Sequence, residues 1–188
     1  MVIGVKNHMV TGPPGSGKST LLFEIVERLE ENGIKLAGVT SPEIKRNEDR
    51  WGFHIKDIKT GKKGILASIE LDGSPRVSRY GVSLEDLNKI GVEALRNALE
   101  DESEVVVIDE IGKMELASRA FADVTKELLD SNKVIVGVVY YKPVHPLIRE
   151  IKSRGDTKVY WVTQKKTKQE RQEIREEIVE SILAILRD

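Results

Sequence analysis

Short runs of apolar residues alternate along the chain with segments whose apolar positions recur every three or four residues. The runs predict strands at residues 5–10, 34–40, 104–108, 134–141 and 158–162. The three- to four-residue spacing predicts helices at 19–31, 83–100, 114–129 and 145–153, and a last helix striped by Ile174, Ile178, Ile182 and Ile185. Because strands and helices alternate, the pattern predicts a single α/β domain over residues 1–188 with a largely parallel sheet.

Residues 41–69 depart from that alternation. Trp51, Phe53 and Ile55 are separated by single residues, the period of a half-buried strand, and a glycine-containing turn at 59–64 precedes an apolar stretch at 65–69. This pattern predicts an antiparallel hairpin beside the main sheet. With the polar link at 72–81, we expect an insertion spanning about residues 41–80.

A glycine-rich segment lies between the first strand and the first helix. It consists of Gly12, Pro13, Pro14, Gly15, Ser16, Gly17, Lys18 and Ser19, and matches the phosphate-binding pattern G-x-x-x-x-G-K-[ST] in full. Glycines let successive backbone N–H groups converge on phosphate oxygens, and the positive end of the following helix points at the same place. We expect Lys18 to contact the outer phosphates, Ser19 to ligate Mg²⁺ and Thr20 to complete the nucleotide site.

Two carboxylates follow the apolar run at 105–108, which lacks alternation and is therefore expected to be covered on both faces. A carboxylate in this position lies at the edge of the sheet where ligands bind in open α/β folds. Asp109 is expected to hold Mg²⁺, and Glu110 to orient or deprotonate the attacking water. The less favoured interpretation is that Glu110 is a solvated loop acid.

Composition narrows the classes of function. The 188 residues include 0 Cys and 3 His, which excludes a disulfide scaffold, a thiolate nucleophile and cysteine-ligated zinc. The net charge of -1 means that the protein as a whole has no positive electrostatic field that would attract nucleic acid. No apolar run is long enough for a membrane helix, and the first six residues are too short an apolar stretch for a signal peptide. We expect a cytoplasmic monomer without membrane association.

The motifs together closely resemble a known family. Thr11 through Ser19, and the string Ile108-Asp109-Glu110-Ile111-Gly112-Lys113-Met114-Glu115-Leu116, are similar to the nucleoside-triphosphatase family first described in thermophiles, whose human member is called cancer-related nucleoside-triphosphatase. The resemblance covers nearly the whole chain. It implies a three-layer P-loop NTPase fold with a RecA-like sheet, and Mg²⁺-dependent hydrolysis of ATP, GTP and other nucleoside triphosphates with loose base selectivity.

The resemblance also implies roles for single residues. Lys18 and Glu110 would be catalytic, Ser19 and Asp109 would hold the metal, and Gly112 would line the nucleotide site. Two features depart from the family: the loop at 163–167 lacks an Asn-Arg pair near the base, and the strand at 134–141 ends in two tyrosines, Tyr140 and Tyr141. Arg119, Arg149 and Arg154 are candidates for stabilising transition-state charge, although for each a surface position is favoured.

Two other functions remain open at this point. The first is a nucleoside or nucleotide kinase, since the insertion at about 41–80 follows the second strand, where such kinases hold the acceptor. The second is a nucleotide-dependent switch acting on nucleic acid. Residues 41–64 carry seven basic residues against four acids, interleaved with Trp51 and Phe53, but a solvated edge hairpin is the favoured interpretation.

Overall fold

The computed structural model describes residues 4–73 and 75–188, and its strands form one 10-stranded sheet. The strands are β1 (Asn7–Thr11), β2 (Leu36–Thr40), β3 (Glu43–Arg46), β4 (Asp49–Asp57), β5 (Lys63–Ser68), β6 (Arg76–Val77), β7 (Tyr80–Val82), β8 (Val105–Ile111), β9 (Val134–Val139) and β10 (Thr157–Trp161). The α-helices are α1 (Lys18–Glu31), α2 (Leu84–Asp86), α3 (Glu93–Glu100), α4 (Arg119–Asp130), α5 (Pro146–Ser153) and α6 (Lys168–Arg187). A π-helical segment, Leu87–Val92, joins α2 to α3.

Five strands form the parallel part of the sheet, in the order β10-β1-β9-β8-β2. One strand, β9, therefore separates the strand before the glycine-rich loop from the strand that carries the two carboxylates. Because the five strands run in one direction, their carboxyl ends share one edge, here called the carboxyl edge. The opposite side is called the amino edge.

Helices cover both faces of this sheet and make three layers. On one face α1 and α6 pack through buried side chains such as Ile25 and Ile182. On the other face α3, α4 and α5 pack through residues such as Leu95, Phe121 and Ile148. Residues 105–108 of β8 are fully buried between the two layers, which confirms the prediction made from their unbroken apolar run.

The predicted hairpin is confirmed and is larger than expected. β4 and β5 pair antiparallel, and β4 joins the main sheet through the pairs Val39↔Asp57 and Thr40↔Lys56 with β2. Because only the end of β4 pairs with β2, the rest of the hairpin extends beyond the carboxyl edge. The link predicted at 72–81 is wrong in part, since β6 and β7 pair with each other there and β7 pairs with β5. Ser74 in this link lies outside the described residues.

The helix predicted at 114–129 is also wrong at its beginning. A single 3₁₀ turn, Glu115–Ala117, comes first, and α4 begins only after Ser118, whose Oγ accepts the N–H of Phe121 at 3.1 Å. A serine in an extended conformation that caps the next helix interrupts the preceding turn. The interruption places Glu115 beside the carboxyl edge.

The last helix follows its predicted stripe over most of its length. Ile178 and Ile182 are fully buried against the sheet, whereas Ile185 is 37% exposed, so the stripe ends before the helix does. Among the described helices, none combines the length and the apolar content needed to span a bilayer.

Candidate active site

The glycine-rich loop begins where β1 ends and closes on the first turn of α1. Gly15 and Gly17 have φ angles of 74° and 84°, in the left-handed region that glycine adopts without steric cost. Gly17 caps α1 without a side-chain hydrogen bond, so the first N–H groups of the helix remain available to a ligand. Ser16 Oγ is buried and has no hydrogen-bond partner in the described part of the chain. An unpartnered hydroxyl inside such a loop fits a phosphate oxygen as its acceptor.

The segment after β10 braces this loop. The N–H of Val162 donates to the carbonyl of Thr11 at 2.8 Å, and a Cβ at Gly12 would collide with the carbonyl oxygen of Val162. Gln164 Nε2 donates to the carbonyl of Gly15 at 3.1 Å. The sequence analysis described residues 163–167 only as a departure from the family. The structure shows that Gln164 of this segment forms a hydrogen bond with the phosphate-binding loop.

Lys18 lies along the inside of the loop. Its Nζ donates to the carbonyls of Gly12 and Pro13 at 2.8 and 2.9 Å. An ammonium group has three N–H donors, so one donor remains for a ligand. Partial burial lowers the pKa of Lys18, while the carboxylates of Glu110 and Asp109 act in the opposite direction.

Asp109 and Glu110 lie at an irregularity in β8. The predicted strand ended at residue 108, but β8 continues to Ile111, and its pairing with β9 shifts register between Ile108 and Ile111. A bulge of this kind re-aims side chains at the end of a strand. Ser19 Oγ donates to Asp109 Oδ1 at 3.3 Å, so the structure brings together the two residues that were expected to hold a metal ion.

Burial controls the charge of both acids. Loss of solvent raises the pKa of Asp109 above its ordinary value. Burial, and next the neighbouring charge of Asp109, raise the pKa of Glu110 to about 7. The Glu110 side chain folds back over Gly112, where a Cβ would collide with its carboxylate. Gly112 therefore provides the space that Glu110 occupies.

The structure adds a third acid that the sequence analysis did not nominate. Glu115, from the 3₁₀ turn, is only 4% exposed, and Ser41 Oγ donates to its Oε1 at 3.2 Å. Burial, and next the charge of Glu110, raise the pKa of Glu115 to about 8. The available signal was its place in the string that resembles the family. Nothing in the sequence connects Ser41 with these acids, because only the fold brings the end of β2 to the turn after β8.

A groove of about 250 Å³ lies beside the loop, between the first turns of α1 and α6. Its lining includes Gly17, Thr20, Glu24, Lys168, Arg171 and Arg175. Arg171 packs against Gly17 and donates to the carbonyl of Thr163 at 2.8 Å. The groove therefore offers a cationic wall next to the phosphate-binding loop. The signal for it in the sequence was the pair Arg171 and Arg175, spaced four residues apart on one face of the helix after the last strand.

The structure separates the candidate arginines from the loop. Arg154 lies at the amino edge, where it pairs with Asp130 at 2.7 Å and Asp156 at 2.8 Å. At this edge Arg154 is too far from the loop to stabilise transition-state charge there, the role for which it was a candidate. Arg149 donates to the Pro143 carbonyl, and the side chain of Arg119 is 94% exposed. Neither contacts the loop.

The residues present fit a magnesium ion. No group of three or more histidine, aspartate or glutamate side chains within residues 4–73 and 75–188 forms a metal site made of protein alone. The Ser19 and Asp109 pair, however, consists of hard oxygen donors beside a phosphate-binding loop. Mg²⁺ retains several waters and needs only one or two protein ligands when phosphates supply the others. This donor set suits it.

Comparison with known proteins gives matches over almost the whole chain. The NTPase family model matches residues 7–183. The nucleoside-triphosphatase THEP1 of Methanothermobacter thermautotrophicus is 39% identical over 158 residues, 84% of this chain and 87% of that protein. The THEP1 of Methanocaldococcus jannaschii is 36% identical over 178 residues, 95% of this chain and 98% of that protein.

Two solved structures are similar over the same extent. The crystal structure of THEP1 from the hyperthermophile Aquifex aeolicus has a TM-score of 0.79 at 33% identity, covering 94% of this chain and 98% of that one. The solution structure of a human cancer-related nucleoside triphosphatase has a TM-score of 0.78 at 31% identity, covering 96% and 98%. The similarity therefore includes both the parallel sheet and the hairpin.

Proposed function

The chain belongs to the NTPase family of its THEP1 relatives, and from this premise we propose that it hydrolyses nucleoside triphosphates to nucleoside diphosphate and phosphate with the help of Mg²⁺. The observation that carries the proposal is the contact between the phosphate-binding loop and the carboxylate strand, Ser19 Oγ to Asp109 Oδ1 at 3.3 Å. We assign Glu110, one residue further along the chain, to the space beyond the terminal phosphate.

The loop and Lys18 bind and orient the triphosphate. The backbone N–H groups of the loop and the first turn of α1 contact the phosphate oxygens, and the unpartnered Ser16 hydroxyl donates to one of them. The third N–H of Lys18 reaches the γ-phosphoryl group. Charge placed there stabilises the transition state, since phosphoryl transfer depends mostly on positioning and electrostatics.

Ser19 and Asp109 are the side chains that would hold Mg²⁺. When bound, the ion would neutralise part of the charge that develops on the phosphate oxygens. Asp109 is suited to this role because burial raises its pKa and so disfavours the ionised carboxylate. A cation bound beside Asp109 would stabilise that ionised form.

Glu110 acts as the general base. Burial and the charge of Asp109 raise its pKa to about 7, near the pH at which a general base is most effective. Glu110 accepts a proton from the attacking water while the water oxygen bonds to the γ-phosphorus. The bond to the oxygen bridging the β- and γ-phosphorus breaks, and that oxygen leaves with the diphosphate.

The groove beside Thr20 accommodates the rest of the nucleotide. Arg171 and Lys168 line it. Both side chains are hydrogen-bond donors only, and every base offers acceptor atoms, so these two residues do not select one base over another. We therefore expect ATP, GTP, CTP and UTP all to be substrates.

The test is phosphate release from these four nucleotides, with Mg²⁺ or with EDTA and with no acceptor added. Glu110→Gln should lose at least ~10²-fold in kcat and still bind nucleotide. Glu27→Gln, on the exposed face of α1, is the matched control and should retain wild-type turnover. Equal turnover of Glu110→Gln and wild type would remove Glu110 from the mechanism. Phosphate transfer that requires an added nucleoside or monophosphate would replace hydrolysis with kinase activity.

A further inference from the structure

A second basic and aromatic surface lies at the carboxyl edge, away from the hairpin. It consists of Lys113, Tyr140, Tyr141, Lys142, Lys152 and Trp161, and is called the tyrosine–tryptophan face. Its members come from the ends of β8, β9 and β10 and from α5, which the parallel sheet brings to one edge. The sequence analysis noted the two tyrosines only as a departure from the family.

Contacts connect the six side chains into one surface. The rings of Tyr140 and Tyr141 have centroids 5.0 Å apart and are inclined at 66°. Lys113 Nζ lies 5.4 Å from the centroid of Tyr140, and Lys142 Nζ lies 5.5 Å from that of Tyr141.

Lys152 joins the tyrosines to the tryptophan. Its Nζ donates to the carbonyl of Tyr141 at 2.7 Å and lies 5.9 Å from the centroid of Trp161. Trp161 is 52% exposed at the end of the edge strand β10. An indole ring this exposed has an open surface on which a planar group could stack.

The lysines of this face are not neutralised by carboxylates. Within the described residues, Lys113, Lys142 and Lys152 form no ion pair, and the one acid of α5, Glu150, pairs with Lys126 and Arg154 instead. In a chain with a net charge of -1, this is a local excess of positive charge.

In the hairpin, which has a similar composition, the two arginines and the tryptophan are engaged by other side chains. Arg46 pairs with Glu70 and Arg50 pairs with Glu43, each at 3.2 Å. Arg46 also covers the ring of Trp51 at 3.7 Å. Its arginines are neutralised and its tryptophan is covered, which agrees with the solvated-edge interpretation made from the sequence.

We propose that the tyrosine–tryptophan face binds single-stranded nucleic acid. Lysines without carboxylate partners attract the phosphate backbone, and the exposed indole of Trp161, beside the half-buried rings of Tyr140 and Tyr141, stacks on unpaired bases of any identity. A duplex presents its phosphates but keeps its bases stacked on one another, so it makes only the first kind of contact. The proposal does not depend on nucleotide hydrolysis, because neither Lys142 nor Trp161 belongs to the site assigned to that reaction.

The test is fluorescence anisotropy with labelled 15-nucleotide oligo-dT and oligo-U, and with a 15-base-pair DNA duplex, across a range of salt concentrations. Both single strands should bind, with affinity falling as salt rises, and the duplex should bind at least about tenfold more weakly. Binding to only one of the single strands would identify which of the two oligonucleotides the face prefers and would still support the proposal. Equal affinity for the duplex, or for poly-glutamate, would overturn it.

Variants separate stacking from charge. Trp161→Ala should weaken binding of the single strands about tenfold, and Trp161→Phe should recover most of the loss. Lys142→Glu should weaken binding and reduce the salt slope by about 1, whereas Lys62→Glu, the same charge change in the exposed turn of the hairpin, should leave binding within about twofold of wild type. Equal losses in the two lysine variants, or in the two tryptophan variants, would contradict the assignment to this face. Thermal unfolding and phosphate release should match wild type in all four.

Discussion

The pKa values of acidic side chains are shifted in opposite directions at the two edges of the parallel sheet. At the amino edge Arg154 bridges Asp130 and Asp156, and its hydrogen bond holds the pKa of Asp156 below its ordinary value. At the carboxyl edge burial raises the pKa of Asp109 and Glu110. Folding therefore stabilises the ionised acid at one edge and destabilises it at the other.

The difference indicates where a ligand is needed. The amino edge already contains its own counter-charges, so it contributes to stability without a partner. The carboxyl edge gathers three acids beside the phosphate-binding loop, and Lys18 acts as an opposing charge on two of them, Asp109 and Glu110. Desolvated groups of this kind lower stability in the free protein and favour binding of the missing charges.

The largest expected effect tests the carboxyl edge. Lys18→Ala should reduce kcat by about 10²–10³-fold, the loss typical of removing one group that stabilises transition-state charge. Because the buried ammonium is itself disfavoured, the free energy of unfolding should change by less than about 1 kcal/mol. Steady-state phosphate release and urea unfolding of the same sample check both values. A large loss of stability with kcat preserved would make Lys18 a structural residue.

The next effect tests the amino edge. Arg154→Ala should lower the free energy of unfolding by about 2–3 kcal/mol, because Asp130 loses its donor and Asp156 loses the paired N–H groups of Arg154, while the carbonyl of Leu129 still accepts from Lys6. Turnover of the folded variant should remain within about twofold of wild type. Arg119→Ala, whose side chain is 94% exposed, is the control and should cost less than about 0.5 kcal/mol. A hundredfold loss of turnover in Arg154→Ala at unchanged stability would return Arg154 to the active site.

The smallest effect is a difference in pH dependence, measured in EDTA. The pKa of Glu115 is about 8 in the folded protein against an ordinary value of 4.5, so the folded state binds more protons between these values. The free energy of unfolding should therefore fall as pH rises through this window. Glu115→Gln should flatten that fall.

The opposite sign is expected at the amino edge. Although burial raises the pKa of Asp101, hydrogen bonds from Ser103 and Lys59 prevail and lower it to about 2, from an ordinary value of 3.8. The stability contributed by Asp101 is present above pH 4 and is lost as pH falls towards 2. Asp101→Asn should remove this acid-side loss in urea unfolding across pH 2–9. If both variants changed the same limb of the profile, the contrast between the edges would be wrong.

The parts of the site that lie in one continuous segment were predictable. The spacing from Gly12 to Ser19 between a strand and a helix identified the loop, and the apolar run before Asp109 identified a buried strand with an acid at its end. Contributions from distant segments were not predictable. Ser41 and Gln164 reach the site from a strand end and a loop that lie far from the phosphate-binding loop and the acids in the chain.

Arg154 shows the limit of reasoning from position along the chain. It directly precedes the last strand, and because β10 runs parallel to β1, the start of that strand lies at the end of the sheet opposite the loop. Trp161 lies far from Tyr140 and Tyr141 in the chain but close to them in the fold. The strands that they end or follow, β9 and β10, are parallel and finish at the same edge of the sheet.

The sequence by itself determined the alternation of strands and helices, the phosphate-binding loop and the identity of the acids that follow β8. These depend on hydrophobic period and on backbone chemistry within a few residues. Only the tertiary structure decided which charges are neutralised, because ion pairing and loss of solvent depend on residues brought together from different strands. Because of these tertiary contacts, the charges of the amino edge are paired and stabilise the fold, whereas the buried acids of the carboxyl edge lie beside the proposed nucleotide site.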